Sequence, residues 1–341
     1  MKILGIETSC DETSVSLLEN EKVLANLISS QDFHTEYGGV VPELSSRAHL
    51  QMTLPLLKKA LNDTQIQVKD IDLICSTAGP GLIGALLVGL TFAKGLAYSA
   101  NKDFLGINHI EGHIFSGFLM EPQPQFPYLC LVVSGGHTLL LIVKSDTEII
   151  KLGSTIDDAA GEAFDKAAKM LGLGYPGGPK IYKAASETES SSISFPVARC
   201  KNEFDFSFSG VKTAVLRFIQ KEYKSSSAIP QNDLNMIAFA FQKAVVNALT
   251  ANVIKALNKY RVKSVSLVGG VSANVLLRNE MKNIADRIKV PFIAPAFEYC
   301  GDNAAMIALR GYRLYKTGRR DNFTANAFAS LPENNFIEYN I

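Results

Sequence analysis

The chain has 341 residues, 47% of them hydrophobic and 20% charged. That excludes wholesale disorder, supplies a large core and sets two domains as the expectation. Thirty-four Lys+Arg against 33 Asp+Glu leave a formal charge of +1, so the chain does not coat nucleic acid by bulk charge, and any RNA contact is a local patch or one shared with a partner.

From the N-terminus, residues 2–7 (KILGIE) and 13–18 (TSVSLL) read as strands joined by a polar turn. Glu7, Asp11 and Glu12 interrupt the first apolar run, so it does not read as a signal peptide. Residues 42–61 read as a helix with Leu44, Leu50, Leu54, Leu57 and Leu61 apolar. Leu73 to Ala93 carries no charge, but Gly79-Pro80-Gly81 cuts it. A helix starting after the break spans about 18 Å of an about 30 Å hydrocarbon layer, so a buried core helix and a soluble, cytoplasmic protein are expected. The strand–turn–strand order returns at 128–133 and 138–143, after a hinge-like PQPQFP at 122–127. Strand, glycine turn and helix return at 264–268, Gly269-Gly270 and 272–281. Helices are expected over 157–171, 209–222 and 232–259. The doubled order implies an internal duplication: two α/β lobes with helical insertions, residues 1–126 plus 305–341 in the first and 127–304 in the second. Cys10, Cys75, Cys130, Cys200 and Cys300 form no CxxC pair and read as reduced cytosolic thiols.

Gly79-Pro-Gly81-Leu-Ile-Gly84 matches GxGxxG, but Asp103 precedes the next strand where a dinucleotide site needs an acid at its end, so close helix packing is the better reading. P-loop and GxSxG motifs are missing from the sequence. The sharpest chemical feature is His109-Ile-Glu111-Gly-His113. Histidines four apart share a helix face and can reach one ion. Glu111 lies about 200° around from His109, which argues against zincin peptidase chemistry. Asp302, at the mouth of a later helix, is a candidate third ligand or an N-cap. Two histidines and one carboxylate leave open positions, which suits Fe(II) or catalytic Zn(II). Backbone amides at Ser134-Gly135-Gly136 and Gly269-Gly270 are candidate anion holders, expected to face each other across a cleft.

Residues 5–12 (GIETSCDE), 76–95, 109–113 (HIEGH), 132–138 (VVSGGHT), 157–166 (DDAAGEAFDK), 175–179 (YPGGP), 206–213 (FSFSGVKT), 269–274 (GGVSAN) and 301–306 (GDNAAM) together resemble the TsaD family, formerly called Gcp or O-sialoglycoprotein endopeptidase. The resemblance runs nearly end to end. It implies an actin-like (ASKHA) two-lobe fold. It also implies transfer of a threonylcarbamoyl group from threonylcarbamoyl-AMP to N6 of adenosine 37 in tRNAs reading codons that begin with A. The metal, Fe(II) foremost and Zn(II) the alternative, would be held by His109, His113 and Asp302. Substrate contacts would fall on Val132, Val133, Ser134, Gly135, Gly136, Asp165, Gly178 and Asn274. The expected partners are tRNA, a TsaB-like paralogue on the apolar helices of the first lobe and a TsaE-like ATPase.

Asp11 is the candidate for orienting or deprotonating the attacking amine, and His137 is a second candidate. The cationic run Arg310, Arg313, Lys316, Arg319 and Arg320 reads either as a helix C-terminus or as a phosphate-contacting patch. An actin-like kinase or ATPase, a metalloprotease and a nucleotide-binding scaffold are the competing readings.

Overall fold

The computed structural model describes residues 1–330 except Arg199 and Lys224. The described chain divides into two compact units, one built from residues 1–123, 144–149 and 295–330, the other from 124–143 and 150–294.

The first unit opens with a meander, β1 (Lys2–Glu7), β2 (Glu12–Glu19) and β3 (Lys22–Ser30). Helix α1 (Pro42–Thr64), started by a proline that has no N–H to waste, leads to β4 (Leu73–Gly79), α2 (Ile83–Ala100), β5 (Asp103–Asn108) and the short α3 (His109–Phe115). The sheet order is β3-β2-β1-β4-β5, antiparallel across β1–β2–β3 and parallel across β1–β4–β5. Ile3, Leu4 and Ile6 are all fully buried, which is why β1 reads as a continuous apolar run rather than an alternation.

The second unit repeats the plan. It runs β6 (Tyr128–Val133), β7 (Thr138–Val143), β8 (Ile149–Ser154), α4 (Ala160–Met170), α5 (Gly177–Ser186), α6 (Ser209–Glu222), α7 (Gln231–Lys259), β9 (Ser264–Val268), α8 (Val275–Arg287) and β10 (Phe292–Ile293). Its sheet order is β10-β9-β6-β7-β8, the same arrangement of a central first strand with a meander on one side and parallel strands on the other. The duplication expected from sequence is therefore present in topology. Each unit has its own core: Leu4, Val15, Leu57, Ile74 and Leu90 in the first, Leu131, Phe164, Phe208, Phe241 and Leu267 in the second.

Helix α9 (Ala304–Lys316) returns the chain to the first unit. Residues 144–149 and 295–304, expected in the second lobe, group with the first, and 124–126, expected in the first, group with the second. Two sets of contacts accompany the 144–149 and 295–304 grouping. Arg313 of α9 pairs with Asp146 at 2.6 Å and Glu21 at 2.8 Å. The first amides of α9, on Ala304 and Ala305, donate to Ser14 Oγ and Asn26 Oδ1 of the β2–β3 meander at 2.9 and 3.2 Å. Residues 331–341, assigned by sequence to the first lobe, lie outside the described residues.

Among the described residues, two helices, α2 and α7, are long and apolar enough to cross a membrane by length and composition. The sequence reading singled out only the first. Helix α7 is mostly buried in the second unit's core, whereas α2 buries Ala85, Leu86, Leu90, Ala93 and Ala97 and leaves Ile83, Leu87 and Tyr98 exposed. The expectation of a core helix holds for one face of α2 only.

Candidate metal centre and ligand pocket

In the first unit, β5 ends at Asn108, whose Oδ1 accepts from the Ile110 and Glu111 amides at 2.8 and 3.2 Å. That cap turns the chain sharply from strand to helix, and His109 and His113 follow on one face of α3. Asp302 arrives from 189 positions beyond His113. Its neighbour Asn303 caps α9, accepting from the Met306 amide at 3.1 Å. The Asp302 carboxylate is therefore directed elsewhere: Oδ1 lies 3.1 Å from His113 Nε2 and 3.4 Å from His109 Nε2.

One donor atom from each of these three residues lies within 4.8 Å of the other two. Burial favours a neutral Asp302, yet the two imidazoles, His109 first, hold its carboxyl far below the usual range. Burial likewise opposes charge on His109, but Asp302 and Glu7 overcome it and raise the imidazole well above its ordinary value. The pocket thus draws positive charge to the space between the three side chains, the role a cation fills. The donor set, two imidazole nitrogens and a carboxylate oxygen, fits a divalent transition metal with open coordination positions.

Asp11 lies in the β1–β2 turn and Glu12 opens β2, where Glu12 is close enough to feel the charge of Asp302. Burial first, then the charges of Asp302 and Asp11, push the Glu12 carboxyl well above its usual range. Glu111 is buried on the opposite side of α3. Its Oε2 accepts from Arg310 Nε and Nη2 at 2.8 and 2.5 Å, and the guanidinium also lies 3.9 Å over the Phe115 ring. This explains why the glutamate between the histidines is no peptidase base: it ties α3 to α9. Gly112 allows the contact, because a Cβ there would meet Ile307 Cδ1 at 2.9 Å.

Apart from Lys316, the cations of the run are already paired with acids. Arg310 is buried with Glu111, Arg313 pairs with Glu21 and Asp146, Arg319 with Asp321, and Arg320 sits 3.6 Å from Asp103. Glu111, Glu21, Asp146 and Asp103, all distant in sequence, together with the adjacent Asp321, oppose most of a cluster that looked unopposed over 310–320. The Gly79-Pro80-Gly81 turn is equally occupied: the amides of Gly81 and Leu82 donate to the carbonyls of Ala329 and Ser9 at 3.2 and 2.8 Å.

In the second unit, a cavity of about 370 Å³ is lined by Gly135, Asp165, Gly178 and Asn274 from the sequence-derived set, with Phe164 and Tyr182 among its apolar walls. The loops lie beyond the C-terminal ends of β6 and β9, the usual ligand edge of a parallel pair. Gly269 holds φ at +91° where the β9 loop crosses Val133, a conformation and a closeness that a side chain would not tolerate. Asp165 Oδ1 accepts from the Gly177 amide at 2.6 Å, pinning the start of α5. Asn274 caps α8 through the Leu277 amide at 3.0 Å and donates to Gln242 at 2.9 Å. Val132 and Val133 are fully buried strand residues, while Gly135 and Gly136 stand exposed in the turn that follows. His137 closes that turn, its amide donating to Ser134 Oγ at 3.1 Å.

Sequence alone does not point to Glu7 and Thr77 around the metal centre, to the pairing of Arg310 with Glu111, or to Phe164 and Tyr182 in the cavity. An acid ending an otherwise apolar strand was the one available signal, at Glu7.

A duplicated α/β fold of the actin-like class carries a His–His–Asp cluster that could hold a metal ion in one unit and a glycine-walled cavity in the other. Among solved structures, the T. kodakarensis HypF matches with a TM-score of 0.64 at 15% identity, over 93% of this chain and 48% of that one. A full-length HypF in phosphate- and nucleotide-bound form gives 0.60 at 12%, over 93% and 46%. These likenesses establish the fold. The family model for TsaD, tRNA N6-adenosine threonylcarbamoyltransferase, matches residues 22–309. The chain is 48% identical over 333 residues to the enzyme of that description from Thermosipho africanus, covering 97% of this chain and 99% of the relative. It is 45% identical to that from Symbiobacterium thermophilum, covering 96% of each. The chain belongs to the TsaD family of tRNA N6-adenosine threonylcarbamoyltransferases, and it is a transferase that modifies tRNA.

Proposed function

We propose that the donor is threonylcarbamoyl-AMP and the acceptor is N6 of adenosine 37 in tRNAs reading codons that begin with A. The observation that supports this most strongly is the convergence of His109, His113 and Asp302 from two elements remote in sequence. The exocyclic amine of adenine is a weak nucleophile, so the burden falls on positioning the donor and stabilising developing charge. In the step itself the N6–C bond forms, the C–O bond to AMP breaks, AMP leaves, and the amine surrenders a proton. Asp11, in the β1–β2 turn beside Glu12, is assigned to orient that amine or take its proton. His137 is kept as a positioning group of the 134–137 turn.

His109, His113 and Asp302 would hold Fe(II), with Zn(II) as the alternative. The ion, when bound, supplies a grip on donor oxygens and polarisation of the carbonyl. The cavity in the second unit takes the adenine nucleotide. Phe164 and Tyr182 offer apolar and aromatic surface to the base, and Asp165, Gly178 and Asn274 border its polar edges. The 132–136 segment offers the Gly135 and Gly136 amides to anionic groups, with Val132 and Val133 as its buried anchor, while the Ser134 amide, also expected to serve, already donates to the His137 carbonyl at 2.8 Å. No Ser or Cys nucleophile is needed.

The TsaB-like partner is assigned to the apolar groove between α1 and α2, lined by Leu54, Leu57, Leu61, Phe92 and Leu96, with Leu50 and Leu87 exposed on the same two helices. A TsaE-like ATPase and a cytoplasmic setting complete the reading, the latter consistent with five free thiols. The test supplies labelled threonine, bicarbonate, ATP, the adenylate-forming enzyme, the partner proteins and tRNA. Label in N6-modified adenosine is expected. Release of labelled peptide from a protein substrate, or ATP hydrolysis without label in tRNA, overturns the proposal.

A further inference from the structure

Glu7 is fully buried at the end of β1 and plays no part in the chemistry above. A carboxylate in that position costs several kcal/mol unless it is compensated. Its compensation is specific. Oε1 accepts from the Ser9 amide at 2.5 Å, and Oε2 accepts from the Thr77 hydroxyl at 2.6 Å. The same Oε2 lies 3.0 Å from His109 Nδ1, and Ser9 Oγ is 3.2 Å from that nitrogen. His109 therefore bridges two carboxylates through opposite ring nitrogens, Glu7 at Nδ1 and Asp302 at Nε2. His113 differs: Nε2 faces Asp302, but Nδ1 is buried with no hydrogen-bond partner among the described residues.

We propose that Glu7 is the positioning residue of the metal centre. By accepting the Nδ1 proton it fixes the tautomer and the ring plane of His109. The Nε2 lone pair then points at the ion, and His109 becomes the dominant imidazole ligand of the pair. Outer carboxylates of this kind raise ligand basicity and typically change metal affinity by about 10–100-fold. Thr77 extends the chain one step further, so that β1, β4 and α3 are joined at the ligand. This rests on the metal-binding reading above.

The test is cobalt(II) titration of the full-length chain, followed by its visible ligand-field spectrum and by competition with zinc. Glu7→Gln keeps the volume and removes the charge. It is expected to weaken cobalt binding by about 10–100-fold and to shift the spectrum. Thr77→Val, which leaves Glu7 charged but less constrained, is expected to lose less and serves if Glu7→Gln does not fold. Adding Glu7→Gln to His113→Ala should weaken binding by a similar further factor, whereas adding it to His109→Ala should change nothing, because its effect travels through His109. Equal affinity and spectrum in Glu7→Gln overturn the proposal. So does a loss in all backgrounds that tracks a fall in the melting temperature of the metal-free protein, because Glu7 would then act on the fold. A wild-type chain that binds no cobalt removes the metal reading itself, a result distinct from both.

Discussion

The two units share a strand order and differ in what they place at the same topological edge. In the first, the turns after β1 and β5 carry Glu7, Ser9 and His109, all charged or polar and all engaged with one another. In the second, the turns after β6 and β9 carry glycines and small residues around a largely apolar cavity. One duplicated scaffold thus offers a dense donor cluster in one copy and an open pocket in the other. The difference lies in the turn residues: an acid and a capped histidine helix in the first case, Gly135, Gly136 and a left-handed Gly269 in the second. Function sits in the turns, and the sheet only aims them.

The sharpest way to break this division is to empty one unit and interrogate the other. Asp302→Ala removes the carboxylate that both imidazoles face. It should abolish tight metal binding and lower the rate of transfer to tRNA by about 10²–10³-fold, the order expected when a charge-stabilising element is lost. Adenine-nucleotide affinity, read by calorimetry, should stay within a factor of two or so of wild type if the pocket belongs wholly to the second unit. A parallel loss of nucleotide binding would show that the two units do not divide the labour.

A structural version of the same separation concerns Arg310. Its guanidinium is buried against Glu111 and Phe115, with Nη1 lacking a partner among the described residues. Arg310→Met strands a buried Glu111 and should cost about 3–5 kcal/mol. Glu111→Met/Arg310→Met removes both charges and should recover much of that. Thermal melts followed by limited proteolysis should show cleavage beginning in the first unit. Equal destabilisation in the single and double variants would mean that the pair contributes packing and not charge compensation.

How much of this was legible before the structure depends on the kind of signal. The first two strands of each meander, α6 at 209–222 and the His109/His113 pair follow from periodicity and spacing, because those are local properties of the chain, whereas β3 and β8 were not anticipated. The doubled topology was visible because strand–turn–strand and strand–glycine–helix each recur. Long-range electrostatics were not visible. The cations at 310–320 looked like a patch because Glu111, Glu21, Asp146 and Asp103 are remote in sequence. Glu7 passed as the polar end of a strand, since its partner His109 lies 102 positions away. Asp302 was read as ligand or cap, and only the backbone shows that Asn303 does the capping. The small-residue helix α5, opening on Gly177-Gly178-Pro179, was not anticipated because that element reads as a turn.

A milder perturbation sharpens the second unit's side. Asp165→Asn keeps a side-chain oxygen to accept from the Gly177 amide but removes the charge at the cavity wall. If Asp165 also accepts from a hydroxyl of the bound nucleotide, affinity should drop by about tenfold, the worth of one hydrogen bond to a charged group, while cobalt binding in the first unit stays as it was. Unchanged nucleotide affinity would restrict Asp165 to pinning α5.

The smallest expected effect separates the units by pH. Asp158 pairs with Lys166 at 2.7 Å and Lys212 at 2.5 Å, tying α4 to α6 in the second unit. Burial opposes its charge, but the hydrogen bonds from Lys166 and Lys212 outweigh that and lower its pKa. A carboxyl whose folded value is depressed binds its proton more readily in the unfolded chain. Its stabilisation is therefore fully present above the unfolded value near 3.9 and is lost as the pH falls from there through the lower folded value. Asp158→Asn should thus melt below wild type at neutral pH, and the gap should narrow as the pH drops below about 4. The pair is partly exposed, so added salt should shrink the neutral-pH gap as well. The metal centre carries its carboxylates in the other unit, so cobalt affinity at neutral pH should be the same in Asp158→Asn and wild type. A gap that stays constant across the acid range would mean that Asp158 stabilises the α4–α6 contact by shape and neutral hydrogen bonding, with its charge contributing nothing.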